Sequence, residues 1–341
     1  KLDLILQKLY NIPVPLCRQT NSLNSSKDQL LDLQYLNELV IPSQSLKVKQ
    51  KKKTNYNRLV KRLKHKFRNL DDDRKKSKQY MEKTQAYRCL GNVDPLPDLT
   101  QRTNKYLLDL RLVKWITQKQ YELLCINPTE VELAHLHYLP KAHKIGTPLR
   151  PIISGLRHPT IKISKFLDDI LRPLFNEMAE QTTIESGFEL IKILKDWSRE
   201  RFKTDTLFCT IDVADLYTMR PQTEGVLSLG KMLNCLNLKQ VDGLKIETII
   251  RLSRFVMQNN YFSFDDQFYH QKQGGAMRSP LTLTMTNCYM FFFERQISKQ
   301  VNNSGGLYLR YIDDLFLVIN WPERHLLKQI EKWNQFDQNI K

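Results

Sequence analysis

The chain has 341 residues, with 53 Lys and Arg against 36 Asp and Glu, a formal net charge of +17. That length allows two or three domains and a substantial core. The basic excess favours a polyanionic partner, nucleic acid ahead of a membrane surface. The longest apolar run, Tyr289-Met290-Phe291-Phe292-Phe293, is too short to cross a bilayer, so no membrane partner is expected. The cysteines, Cys17, Cys89, Cys125, Cys209, Cys235 and Cys288, include no close pair. That spacing argues against a zinc site and a disulfide framework. Cys125, Cys209 and Cys288 lie in apolar surroundings and are expected in the core. The chain begins at Lys1 rather than at a methionine, as a fragment would, and shows no signal peptide.

Residues 28–41 carry an amphipathic helical pattern, with Ser25 and Ser26 as caps and Pro42 ending it. Residues 47–70 then hold eleven Lys or Arg and no acid, and Leu59, Leu63 and Phe67 recur every four residues. This predicts a basic helix with one apolar stripe, suited to gripping phosphates. Lys51-Lys52-Lys53 within it fits a nuclear-import signal. A solvated basic face is the competing explanation. Residues 91–103, with Pro95 and Pro97, read as a linker into a second domain.

Thr117 and Gln120 form a capping box for a helix through Leu124. Residues 136–154 read as strand, basic loop, strand, with Lys141, Lys144 and Arg150 around the loop, a set that suits a triphosphate or a template backbone. Helical periodicity follows over 161–175, and Ser186 and Glu189 box the start of the next helix. Residues 207–212 form an apolar strand that ends near Asp212. A helix over 244–258 precedes a hairpin turning at Asp265-Asp266. The loop Gln273-Gly274-Gly275-Ala276-Met277-Arg278-Ser279-Pro280 leads into a long helix. Finally Leu307-Tyr308-Leu309-Arg310-Tyr311 and Leu315-Phe316-Leu317-Val318-Ile319 flank Asp313-Asp314, which are expected as the turn of a tight hairpin. Two adjacent carboxylates repel, and ionise together most readily beside a divalent cation.

A strand ending in Asp212, a Gly-rich loop entering a helix, and a hairpin carrying two aspartates, in that order, resemble the fingers and palm of reverse transcriptases. The Tyr-x-Asp-Asp box of that family is here Tyr311-Ile312-Asp313-Asp314. Leu139-Pro140-Lys141-Ala142-His143-Lys144, Asp212-Val213-Ala214-Asp215-Leu216-Tyr217-Thr218 and Ala276-Met277-Arg278-Ser279-Pro280-Leu281 resemble the boxes of the Penelope-like retroelement branch, relatives of telomerase.

The resemblance implies an α+β right-hand polymerase. Residues 1–103 would be a basic, mostly helical N-terminal region with linker, 104–206 fingers-like, and 207–341 a palm-like catalytic region whose antiparallel sheet has helices on one face. A thumb and an endonuclease region would be missing from the chain. It implies RNA-templated DNA synthesis by two-metal chemistry, in which paired ions stabilise the attacking and leaving oxygens. The ions would be Mg²⁺, with Mn²⁺ as a substitute, held by Asp212, Asp313, Asp314 and the backbone carbonyl of Val213. Lys141, Lys144 and Arg150 would meet the triphosphate, Tyr217 would pack under the sugar and exclude a 2′-hydroxyl, and Met277 and Arg278 would lie near the nucleotide. The partners would be an RNA template, a DNA primer or chromosomal DNA end such as a telomere, and dNTPs, in the nucleus.

Relatives carry Gly where this chain has Arg278, and an apolar residue where it has Arg220, so an attenuated copy is expected. A decayed or domesticated nucleic-acid-binding protein is the alternative. An RNA-directed RNA polymerase is a third reading, disfavoured by the aromatic Tyr217.

Overall fold

The structure, a computed structural model, describes residues 70–140, 149–214 and 216–340. The helices expected over 28–41 and 47–70, and Lys141, Lys144 and Asp215, lie outside the described residues. Packing divides the described chain into two units. The larger holds 81–137, 152–214 and 216–340; the smaller holds 70–80, 138–140 and 149–151.

In chain order the elements begin with α1 (Leu70–Thr84), β1 (Tyr87–Gly91), α2 (Leu96–Leu112), α3 (Gln118–Leu124), β2 (Ala134–Pro140) and β3 (Leu149–Ser154). They continue with α4 (Ile161–Ala179), α5 (Gly187–Arg201), β4 (Leu207–Asp212), α6 (Leu216–Met219), α7 (Gln222–Cys235), β5 (Gln240–Val241) and β6 (Leu244–Lys245). The last are α8 (Ile246–Gln258), β7 (Tyr261–Phe264), β8 (Gln267–Gln271), α9 (Pro280–Asn303), β9 (Leu307–Tyr311), β10 (Asp314–Ile319) and α10 (Glu323–Trp333). One sheet runs β1-β8-β7-β2-β3, a second β4-β10-β9, and β5 pairs with β6. In the smaller unit the Tyr138 hydroxyl donates to the Ser77 carbonyl at 3.4 Å.

Local chemistry explains most boundaries. The expected box at α3 is complete: Thr117 Oγ1 accepts from the Gln120 N–H, and Gln120 Oε1 accepts from the Thr117 N–H. At α5, Ser186 caps the Glu189 N–H, while the Glu189 carboxylate turns to the Glu185 N–H. α4 buries Ile163, Leu167, Leu171 and Phe175, one face at helical spacing. That stripe joins Leu229 and Met232 of α7, Leu252 and Val256 of α8, and Met285 and Cys288 of α9 in one core. Cys125 and Cys209, expected in the core, are only partly buried.

Two expectations are corrected. The stretch 91–103, read as a linker, holds the first half of α2. Pro95 and Pro97 sit at its start, where an absent N–H costs nothing, and Asp94 accepts from the Leu96 N–H at 2.9 Å. The β4-β10-β9 sheet also has helices on both faces. Leu317 and Ile319 pack with Ile297 and Val301 of α9 and Trp333 of α10. Phe316 and Val318 pack with Leu194 and Trp197 of α5. β10 is buried at every position from Leu315 to Ile319, as a strand covered on both sides must be.

Arg220 stands apart in this core. It is 1% exposed, and none of its guanidinium nitrogens has a hydrogen-bond partner. Its guanidinium occupies the space left by Gly225, where a Cβ would stand 2.4 Å from Nη1. Burial lowers its pKa to about 10. The unfolded chain therefore binds the proton more tightly, and folding gains stability as pH rises above about 10. Arg220→Met should stabilise the fold by about 1–3 kcal/mol near neutral pH, because it removes a desolvated, unpaired charge. Denaturant unfolding should show the full gain below about pH 10 and a shrinking gain above it. A variant no more stable than the parent would contradict this.

Candidate active site at the paired strand ends

β4 and β10 run antiparallel in continuous register, from Ile319 opposite Leu207 to Asp314 opposite Asp212. The strand ends thus bring together two aspartates that are far apart in sequence. Beyond them the Val213 N–H donates to the Asp313 carbonyl at 3.0 Å, which ties the β9–β10 turn to the segment leaving β4. Asp212 and Asp314 are exposed, Asp313 is half-buried, and Val213 is buried.

The turn differs from the expected one. Tyr311 pairs with Asp314, so the two turn residues are Ile312 and Asp313, and Asp314 already belongs to β10. Ile312 has φ +57°, a left-handed conformation unusual for a β-branched residue. Holding it costs on the order of 1–3 kcal/mol and requires support from outside the turn.

The support is Arg310, which is wholly buried. Its Nη1 donates to the Ile312 carbonyl at 3.0 Å and to Asn287 Oδ1 at 2.8 Å. Its Nε donates to Glu294 Oε2 at 2.7 Å, and the Tyr308 hydroxyl donates to the same oxygen at 3.0 Å. Burial pushes the Glu294 carboxyl up from its ordinary value, while Arg310 and Tyr308 pull it back. The Arg310 backbone also bonds to the segment after α4: its N–H donates to Thr182 and its carbonyl accepts from Ile184. A guanidinium therefore ties the turn to the middle of α9. The sequence reading missed this group, although its signal is visible: one Arg inside the apolar strand β9 and one Glu directly after Phe291-Phe292-Phe293.

The Gly-rich loop is fastened to the segment after Asp212. The Gly274 N–H donates to the Arg220 carbonyl at 2.7 Å, and the Gly275 N–H to the Tyr217 carbonyl at 3.0 Å. Gly274 has φ +65°, and a Cβ there would lie 2.0 Å from the Tyr217 carbonyl oxygen, so only glycine fits. Tyr217 and Met277 are half-buried. Arg278 is exposed and borders a recess with His158, Tyr261 and Ser279. Ser279 is held by Ser164, whose Oγ lies 2.7 Å from Ser279 Oγ. Arg150 is exposed and belongs to the smaller unit.

Among the described residues no three His, Cys, Asp or Glu side chains gather into a group that could hold a metal ion by themselves. The donors at the strand ends are all oxygens. This fits a hard ion such as Mg²⁺, which takes one or two carboxylates and completes its shell with water and substrate phosphates.

Arg310→Met would leave Glu294 buried without its counter-charge, a loss of about 3–5 kcal/mol. The double variant Arg310→Met, Glu294→Met should recover most of that loss in denaturant unfolding, because two apolar side chains replace a buried pair at little net cost. Equal losses in the single and double variants would contradict the pairing.

No protein-family model and no curated protein matches the chain by sequence. Among solved structures, telomerase from Candida tropicalis truncated from its C-terminal domain gives a TM-score of 0.47 at 13% identity, covering 63% of this chain and 49% of that one. Telomerase from Candida albicans, in complex with the TWJ fragment of telomeric RNA, gives 0.45 at 12% identity, covering 67% and 44%. An RNA-dependent RNA polymerase, vp4, gives 0.45 at 12% identity, covering 72% and 24%. The chain spans about half the length of these proteins or less. All three scores lie below 0.5, and the functional reading rests on the site itself.

Proposed function

We propose that the chain is part of an RNA-directed DNA polymerase of the Penelope-like retroelement branch, adding dNTPs to a primer 3′-hydroxyl on an RNA template. One observation carries the proposal. Asp314 stands in register opposite Asp212, with the Asp313 carbonyl bonded to the next residue of the same segment. Asp212 and Asp314, drawn from the two boxes where the resemblance puts catalytic aspartates, lie opposite each other at one end of two adjacent strands.

In this reading Asp212, Asp313, Asp314 and the Val213 carbonyl would hold Mg²⁺. The bound ions would neutralise charge on the attacking and leaving oxygens. The chain's own groups bind and orient. Lys141, Lys144 and Arg150 meet the triphosphate. Tyr217, on α6 beside the Gly274–Gly275 clasp, lies under the sugar and makes the site select dNTPs over rNTPs. Met277 and Arg278 flank the nucleotide from the loop. The protein, made in the cytoplasm, would act on its RNA template and chromosomal DNA in the nucleus.

The second reading, a nucleic-acid-binding protein that keeps the fold without efficient chemistry, is favoured by Arg220. An unpaired buried cation is a costly residue to keep so near the segment that follows Asp212.

Primer extension on an RNA template with dNTPs and Mg²⁺ separates the two. Extension should occur, and Asp212→Asn should reduce it by at least about a thousandfold, of the order expected for losing a principal electrostatic contribution to the transition state. No extension by the parent protein would favour the second reading. In the same assay Arg278→Gly should raise kcat/KM for dNTPs at least about tenfold, or about 1.4 kcal/mol of transition-state stabilisation, if the arginine attenuates this copy. An unchanged or lower value would show that Arg278 is accommodated.

A further inference from the structure

The β1-β8-β7-β2-β3 sheet has two faces of different character. On the inner one Phe262 and Tyr269 are buried and stacked, with ring centroids 5.4 Å apart, and Tyr87 meets Phe262 edge-on. The other face carries two rows set by the strand register. In the first, Arg88 of β1 lies opposite His270 of β8, and His270 opposite Tyr261 of β7. In the second, Phe268 lies opposite Ser263, and Ser263 opposite His135 of β2, with Ser263 Oγ 2.6 Å from His135 Nδ1.

The first row has the makeup of a base-stacking step. The Tyr261 and His270 rings are parallel to within 16° at a centroid distance of 4.3 Å, and both are half-buried. Three cations surround them. Arg88 and Lys272 are exposed and make no ion pair among the described residues. Arg102, held by Asp98 at 2.7 Å, lies close to the Tyr261 hydroxyl. Burial lowers the His270 pKa, a bond to the Gln258 carbonyl opposes this, and these three like charges lower it further, so the ring is neutral near pH 7. The nearest acids on these strands are Asp265 and Asp266, at the hairpin tip. Beside Phe268 the strand β1 has Gly91, around which a side chain would find open space.

We propose that this face of β1, β8 and β7 is a docking platform for single-stranded nucleic acid, with bases stacking on Tyr261, His270 and Phe268 and phosphates held by Arg88, Arg102 and Lys272. Positive charge beside stacked aromatic rings is what an unpaired strand requires: every base offers a ring face and every linkage a phosphate. A duplex hides its ring faces and gains only the charge contribution. A protein partner is a poorer fit, since none of the large apolar side chains exposed on the molecule belongs to these two rows. The platform lies on a different sheet from Asp212 and Asp314, and its binding does not require chemistry at those residues.

The test uses the full chain with fluorescently labelled 12-nucleotide oligo(U) and oligo(dT), and a duplex of equal length, in anisotropy titrations over a range of salt. Single strands should bind more tightly than duplex, and affinity should fall steeply with salt. Arg88→Glu, at an exposed position, and Tyr261→Leu should each weaken single-strand binding roughly fivefold or more. Oligo(U) carrying 4-thiouridine should cross-link on irradiation to peptides containing residues 261–272. Asp212→Asn should retain the parent's affinity, so loss of nucleotide addition and loss of the platform are read separately. Parent-like binding by both Arg88→Glu and Tyr261→Leu, duplex bound as tightly as single strand, or cross-links confined to other segments would each overturn the platform. Preference for oligo(U) over oligo(dT) would assign it to RNA, and the reverse to DNA.

Discussion

The register between β4 and β10 is the constraint on which the candidate site depends. A shift of one residue would take Asp314 away from Asp212 and turn every β10 side chain to the opposite face. In most half-buried strands the alternation of apolar and polar residues forbids such a slip. β10 lacks that safeguard, because Leu315 to Ile319 are apolar without interruption and buried on both faces. Its register must be held at the ends. At one end the Asp313 carbonyl accepts from Val213, and Arg310 clamps the Ile312 carbonyl. At the other, Thr206 Oγ1 donates to Asn320 Oδ1 at 2.6 Å, and the Asn320 amide donates to the Arg201 carbonyl. The polar residues that flank this apolar strand therefore set its alignment.

The same logic explains a buried ion pair that is expensive by itself. Arg310 and Glu294 lie wholly inside the protein, and removing charges from water seldom stabilises a fold on balance. What the pair supplies is direction. Three coplanar nitrogens reach α9, the turn and the segment after α4 together, and a left-handed Ile312 is held in place. Arg220 is the contrasting case, an equally buried guanidinium that joins nothing. The pair shows that burial alone does not tell a structural arginine from a costly one; the partners do.

Much of this architecture could be read from the residues. The box at Thr117, the four-residue spacing in α4, the Asp265-Asp266 hairpin and the strand ending in Asp212 each carry a local signal strong enough to survive tertiary context. The failures have physical causes. Pro95 and Pro97 suggested a linker, yet proline is tolerated in a first helical turn. The Asp313-Asp314 pair looked like the turn because aspartate favours turns, but the register placed Ile312 in the strained position instead. The helices on both sides of β10 were written in its unbroken apolar run, which is a different pattern from the alternation of a one-sided sheet. Arg310 and Glu294 escaped notice because their partnership spans elements, and spacing along the chain cannot show which charges will meet.

The central claim is that Asp212 and Asp314, brought together by that register, hold one cation site used by a nucleotide. Electron paramagnetic resonance of Mn²⁺ titrated into the protein with an RNA template, a DNA primer and a dNTP tests it directly. The account predicts tight Mn²⁺ binding in the parent protein and its loss in Asp212→Asn and in Asp314→Asn alike. Binding that survives either substitution unchanged would contradict it.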